Sequence, residues 1–188
     1  EEAKEELGIT LQLNPAQSDA YANFGHIHFR QEHWNKAIEE FDHAIALGSN
    51  KPDTYYFAGL ARSKQKAYGE AIPFLQKAVR LRSHKASYHF YLGNAFRHLG
   101  SFDEALQEFR RTLEIQPMHS QAQNNIGVIF WNLKAYERAE VEFNKALDIQ
   151  QNLPEIHQNL ATLHLKNNRY ANAIPHLNQV LKLQPGNT

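Results

Sequence analysis

Residues Tyr91–Pro117 read YLGNAFRHLGSFDEALQEFRRTLEIQP, and the signals in this stretch recur along the chain at a spacing of thirty-four residues. Stepping by that period from Gly93 reaches Gly59 and Gly25 upstream and Gly127 and Ala161 downstream, so the column holds only small residues. From Ala105 the same step reaches Ala71, Ala37 and Ala3 in one direction and Ala139 and Ala173 in the other. A third column reads Trp34, Tyr68, Phe102, Tyr136, Tyr170, and a fourth Leu7, Phe41, Leu75, Phe109, Phe143, Leu177. Two antiparallel helices joined by a tight turn approach closely only where small residues face each other, and large apolar residues then fill the flanks.

This order of aromatic, Leu-Gly, aromatic, Ala, aromatic and Pro resembles the tetratricopeptide repeat (TPR) family over nearly the whole chain. The resemblance implies an all-α fold, a right-handed α-α superhelix (TPR solenoid) of five full repeats plus an N-terminal half repeat. A single TPR domain would then cover residues 1–188, with the half repeat at 1–17 and full repeats at 18–51, 52–85, 86–119, 120–153 and 154–187. Within the first full repeat the pattern predicts a helix from about Asp19 to Gln31, a turn at Glu32 and His33, and a second helix from about Asn35 to Leu47. Pro52 and Pro154 suit a first helical turn, where the missing N–H would have had no partner. Pro73 and Pro175 fall inside second helices and each removes a backbone bond, which predicts a mild bend. Gly8 costs its helix roughly 1 kcal/mol against alanine, which predicts fraying there.

Composition narrows the function. Twenty Lys and Arg balance twenty Asp and Glu, so nothing demands nucleic acid or an anionic membrane as partner. With no cysteine there is no disulfide and no thiolate chemistry. No apolar run approaches the ~20 residues that span a bilayer, and the acidic start EEAKEELG is unlike a secretory signal, so a soluble, cytoplasmic protein without membrane insertion is expected. The charge is nonetheless segregated. Residues 1–53 carry ten acidic and four basic side chains, whereas residues 54–118 carry five acidic and ten basic, a middle able to steer an acidic ligand.

Eleven histidines invite a metal or catalytic reading, but their placement opposes it. His89 and His157 occupy the fourth position of their repeats and His28 and His164 the eleventh, where the family packs an aromatic ring between helices, so burial is predicted for all four. His26 and His28 are two apart and point to different faces. No HExxH, GxSxG or phosphate-cradling glycine loop occurs, so no catalytic residue, metal site or cofactor is expected.

The resemblance further implies that the first helix of each repeat lines a concave groove through its positions two, five, six, nine, twelve and thirteen. Positions five and six read Ala22-Asn23, Tyr56-Phe57, Phe90-Tyr91, Asn124-Asn125 and Gln158-Asn159. The candidate peptide-binding residues are accordingly Asn23, Phe29, Tyr56, Phe57, Lys64, Phe90, Tyr91, Asn94, Arg97, Asn125, Trp131 and Asn159. Rings of this kind offer large apolar area at little entropic cost, so Tyr56, Phe57, Phe90 and Tyr91 are expected to form one apolar floor. Asn23, Asn125 and Asn159 look like pieces of an asparagine ladder that grips a peptide backbone. The clamp by which co-chaperone members hold a carboxyl tail is not expected, because Phe90, Glu155 and Asn159 stand where its basic residues belong.

The expected function is therefore a non-catalytic scaffold that binds a peptide segment of a partner protein. The alternative is the substrate-selecting TPR region of a larger enzyme, such as a glycosyltransferase resembling O-GlcNAc transferase. Because Ile174, Leu177, Val180, Leu181 and Leu183 keep the columns of internal helices, the C-terminal end reads as uncapped. More of a longer parent chain, or a second copy in a homo-oligomer, is expected to cover it.

Overall fold

The computed structural model describes residues 17–184, so the expected half repeat and Gly8 lie outside the described residues but for Gln17. Ten helices and no strand are present among the described residues. In chain order they are α1 (Ser18–Arg30), α2 (Trp34–Ala46), α3 (Pro52–Lys64), α4 (Tyr68–Leu81), α5 (Ala86–His98), α6 (Phe102–Ile115), α7 (Ser120–Asn132), α8 (Tyr136–Ile149), α9 (Pro154–Lys166) and α10 (Tyr170–Leu183). The helices of the first full repeat lie within one residue of the bounds that the pattern predicts. The chain divides into two compact units, one ending at Ala105 and the other starting at Leu106.

In unit 1, α1 packs on α2, α2 on α3, α3 on α4 and α4 on α5. Its core is a row of small and large residues in alternation: Ala37 and Phe41 of α2 meet Ala58 and Ala61 of α3, and Ala71 and Leu75 of α4 meet Leu92 and Ala95 of α5. In unit 2, α7 packs on α8, α8 on α9 and α9 on α10, around buried Ala139, Phe143, Ile156, Leu160, Leu163 and Ala173. The small column thus marks where helix axes approach, and the large column fills beside it. Leu177 is 39% exposed, whereas Phe143, its counterpart one repeat earlier, is 1% exposed.

Pro52 and Pro154 sit at the first turns of α3 and α9, as their chemistry requires. Both α4 and α10 run on through Pro73 and Pro175. The carbonyls that lose a partner belong to Gly69 and Ala171, both exposed, where solvent can take over the bond.

Side-chain caps contribute little at the helix N-termini. Among the helices whose caps are described, only α7 has one, His119 Nδ1 accepting from the Ala122 amide at 3.2 Å. The turns inside the repeats are instead fixed at the C-terminal end of each first helix. Glu32, Lys66, Gly100, Lys134 and Asn168 all adopt positive φ, between 56° and 79°, and they are spaced by the repeat period. In each turn two amides reach back into the helix, as Lys66 N to Ser63 O at 3.0 Å and Ala67 N to Arg62 O at 3.0 Å illustrate. This left-handed turn satisfies the last carbonyls and reverses the chain in three residues.

Candidate peptide-binding site

Nine of the twelve candidate residues lie in unit 1, on α1, α3 and α5, and their rings form a continuous row. Phe29 stacks edge-on against Phe57 with centroids 5.2 Å apart, Phe57 against Tyr56 at 4.9 Å, Tyr56 against Tyr91 at 5.7 Å, and Tyr91 against Phe90 at 5.3 Å. Edge-to-face contacts of this length are attractive beyond simple burial. They arise because the repeat period places rings of neighbouring first helices side by side.

The row is not the open floor expected from the positions alone. Phe90 is only 8% exposed and offers no free face. Phe29 and Phe57 pack against the Ala37–Phe41–Ala58–Ala61 cluster, and Tyr56 and Tyr91 against the Ala71–Leu75–Leu92–Ala95 cluster. These half-buried rings therefore also hold the helices together, so the expected floor is in part core packing. A ring at a groove position is wide enough to lean back onto the next helix, and helical phase alone does not reveal it.

Two recesses flank the row. The first, about 440 Å³, is lined by Asn23, His26, Ile27, Phe29, Arg30 and Phe57. The second, about 240 Å³, is lined by Leu60, Ser63, Lys64, Tyr68, Tyr91 and Asn94, with Ala95 and His98 behind. The Tyr68 ring lies flat on the His98 imidazole, with centroids 4.3 Å apart and planes 4° from parallel, and forms one wall. Arg97 Nη2 lies 3.1 Å from His98 Nε2, while its own Nε is buried with no hydrogen-bond partner in the protein. Burial draws the Arg97 guanidinium below its usual range and is partly offset by Tyr68. Burial likewise lowers His98, aided by the Arg97 charge, and lowers His26 in the first recess against the opposing field of Asp53.

The other three candidates belong to unit 2. Asn159 Nδ2 donates to Asn124 Oδ1 at 2.9 Å, so this asparagine amide is already engaged inside the protein. Trp131 leans on Tyr136 with centroids 5.2 Å apart, and Asn125 is half-buried.

Sequence reasoning missed His26, Trp34, Tyr68 and His98 as partners of the row. His26 touches Phe57 edge-on at 4.5 Å and Trp34 touches Phe29 at 5.0 Å. Position nine was available as a signal for His26, but the wall built from Tyr68 comes from a second helix, outside the positions that the groove pattern covers.

The four packed histidines are buried as expected. His89 Nε2 donates to Ser83 O and His157 Nε2 to Gln151 O, both at 2.9 Å. His157 Nδ1 then accepts from His176 Nδ1 at 3.0 Å, and His164 stacks on His176 with centroids 5.7 Å apart. Among the described residues no group of three or more His, Asp or Glu is arranged to hold a metal ion, and no helix is long and apolar enough to cross a membrane.

The geometry defines a helical-repeat protein of paired antiparallel helices. Tetratricopeptide repeat models match residues 22–86, 75–117, 92–154 and 154–187, and the chain belongs to the tetratricopeptide repeat family. Its all-α solenoid fold is shared with MamA from Desulfovibrio magneticus, at 18% identity and a TM-score of 0.81 over 91% of this chain and 97% of that one. It is shared with YrrB, described as a TPR protein with an unusual peptide-binding site, at 20% identity and a TM-score of 0.77 over 98% and 95% of the two chains. PilF of Pseudomonas aeruginosa is similar at 19% identity and a TM-score of 0.77, over 89% of this chain and 76% of that one. No curated protein matches the sequence.

Proposed function

We propose that the chain is a non-catalytic interaction module whose α1, α3 and α5 face holds a peptide segment of a partner protein. The observation that carries this reading is the 240 Å³ recess beside Arg97. Its volume suits one apolar side chain, against Leu60 and Tyr91. The Arg97 guanidinium, which reaches the His98 wall through Nη2, and the exposed Lys64 at the rim favour an acidic group next to that side chain. The excess of basic residues over 54–118 supports steering of such a ligand, and the peptide-binding site of YrrB supports peptide as its class.

The test is an affinity capture with this chain followed by mass spectrometry, and then titration of synthetic peptides from the captured partner. Ser63→Trp fills the recess and Lys64→Glu reverses the rim charge, both at positions outside the core clusters. Each is expected to weaken binding about tenfold or more without changing helical content, the Lys64 effect fading at high salt. Unchanged affinity in the Ser63→Trp variant overturns the reading. Phe57→Ala with Tyr91→Ala is expected to lower stability as well as affinity, because both rings pack on the core.

A further inference from the structure

The same three columns of the repeat are filled in different ways in the two units. In unit 1 they hold Asp42, Arg62 and Phe74. Arg62 is 7% exposed, donates from Nη2 to both Asp42 carboxylate oxygens at 2.7 and 2.9 Å, and lies 4.0 Å over the Phe74 ring. Its Nη1 also donates to Ala58 O at 3.2 Å. The space between the two second helices is thus plugged by an acid, a guanidinium and a ring supplied by the chain itself.

Two repeats later, in unit 2, the columns hold Arg110, Phe130 and Glu142. The acid has become a base and the guanidinium a ring. Glu142 is engaged in bonds with Gln123 and Lys145, the latter at 2.9 Å. Arg110 is exposed and forms no ion pair among the described residues. What remains is a groove of about 550 Å³, floored by Ile126 and Phe130 with Leu113 on one side. Val141 stands on its edge 52% exposed, and Arg138 lies 4.9 Å over Phe130. On α7 this stripe of Gln123, Ile126 and Phe130 lies on the opposite side from Asn125 and Trp131, so it is separate from the peptide-binding face proposed above.

We propose that this groove is a second docking site, for a protein segment that presents an acidic side chain to Arg110 beside a bulky apolar side chain against Leu113 and Val141. Such a segment brings from outside the acid that Asp42 supplies in unit 1. Charge complementarity selects the acid: Arg110, Arg138 and Lys145 line the groove against Glu137 and an already bonded Glu142.

The probes are short synthetic peptides with Leu or Phe flanked by Asp and Glu, and matched peptides carrying Asn and Gln instead. Binding is read by fluorescence anisotropy and by amide NMR shifts in α6–α8. The acidic peptides are expected to bind about tenfold or more tightly than their amide matches, and Arg110→Glu, at an exposed position, is expected to remove that preference. The triple change Arg110→Asp, Phe130→Arg and Glu142→Phe installs the unit 1 residues and is expected to close the groove and abolish binding with the helices intact. All of these measurements are made in the Ser63→Trp background, in which the recess of the first site is filled and the unit 2 groove is left to bind the peptides. Equal binding of acidic and amide peptides, no binding by either, or full affinity in Arg110→Glu overturns the proposal.

Discussion

A side-chain carbon at Gly127 of α7 would stand 2.6 Å from the Phe143 ring of α8, closer than any real contact of that kind. Phe143 is fully packed and cannot retreat, so the pair fixes how near the two helices come. Gly127→Ala gains up to ~1 kcal/mol of helix propensity but overpacks the ring at a cost of about 1–3 kcal/mol, and the second term is expected to win. Urea denaturation followed by circular dichroism measures the balance. Adding Phe143→Leu recreates the Ala161 and Leu177 pairing of the last repeat and is expected to recover part of the loss; a single variant more stable than the parent would contradict the close-contact account.

The turns offer a second test. Lys134 and Gly100 share one column and one left-handed backbone, at φ 60° and 79°. A residue with a Cβ is strained there by about 1 kcal/mol, so Lys134→Gly is expected to raise stability by up to that amount and Gly100→Ala to lower it similarly. Midpoints of chemical denaturation with unchanged slope would report this directly, and shifts of the opposite sign would exclude strain as the governing effect.

At Arg62 the two partners are unequal, with side-chain exposures of 9% for Arg62 and 44% for Asp42. Asp42→Ala leaves a buried guanidinium with only Ala58 O and the Phe74 ring and is expected to cost about 2 kcal/mol. Arg62→Met removes the charge and keeps a stem on Phe74, so its cost is expected to be smaller. If denaturation shows Arg62→Met to be the worse variant, the guanidinium's contacts with Ala58 O and the Phe74 ring outweigh the cost of leaving its charge unpaired.

Stability should also depend on pH. Burial lowers His176, reinforced by the His157 and His164 charges and opposed by Glu140; burial lowers His119 as well, as it does His26 and His98. A histidine whose folded value lies below its unfolded value of about 6.5 stabilises the fold above that pH and loses the contribution as pH falls through the folded value. The thermal midpoint is therefore expected to fall between about pH 7.5 and pH 5.5, with a smaller fall in His176→Asn; a midpoint independent of pH over this range would refute the assignment.

The fold was legible almost throughout, and the site only in part. Ala37, Ala71, Ala105, Ala139 and Ala173 are all completely buried, as a column of small residues at helix crossings must be. Tyr56, Phe57 and Tyr91 were legible as neighbouring rings but not as core partners, because helical phase gives direction and not the lean of a ring toward the next repeat. The left-handed turns were hidden for a related reason: Glu32, Lys66 and Lys134 are residues that seldom adopt positive φ, and the helix packing on either side imposes it.

By itself the sequence determined the period, the helix pairs and the crossing points, because each depends on residue size and spacing within one repeat or its neighbour. Tertiary structure alone decided which faces are filled and which stay open. Asp42, Arg62 and Phe74 close one groove, while Arg110, Phe130 and Glu142 in the same columns leave another open. Whether an acid meets a guanidinium depends on side-chain reach across two helices and on competing partners such as Gln123 and Lys145, which no periodic pattern of residue types encodes.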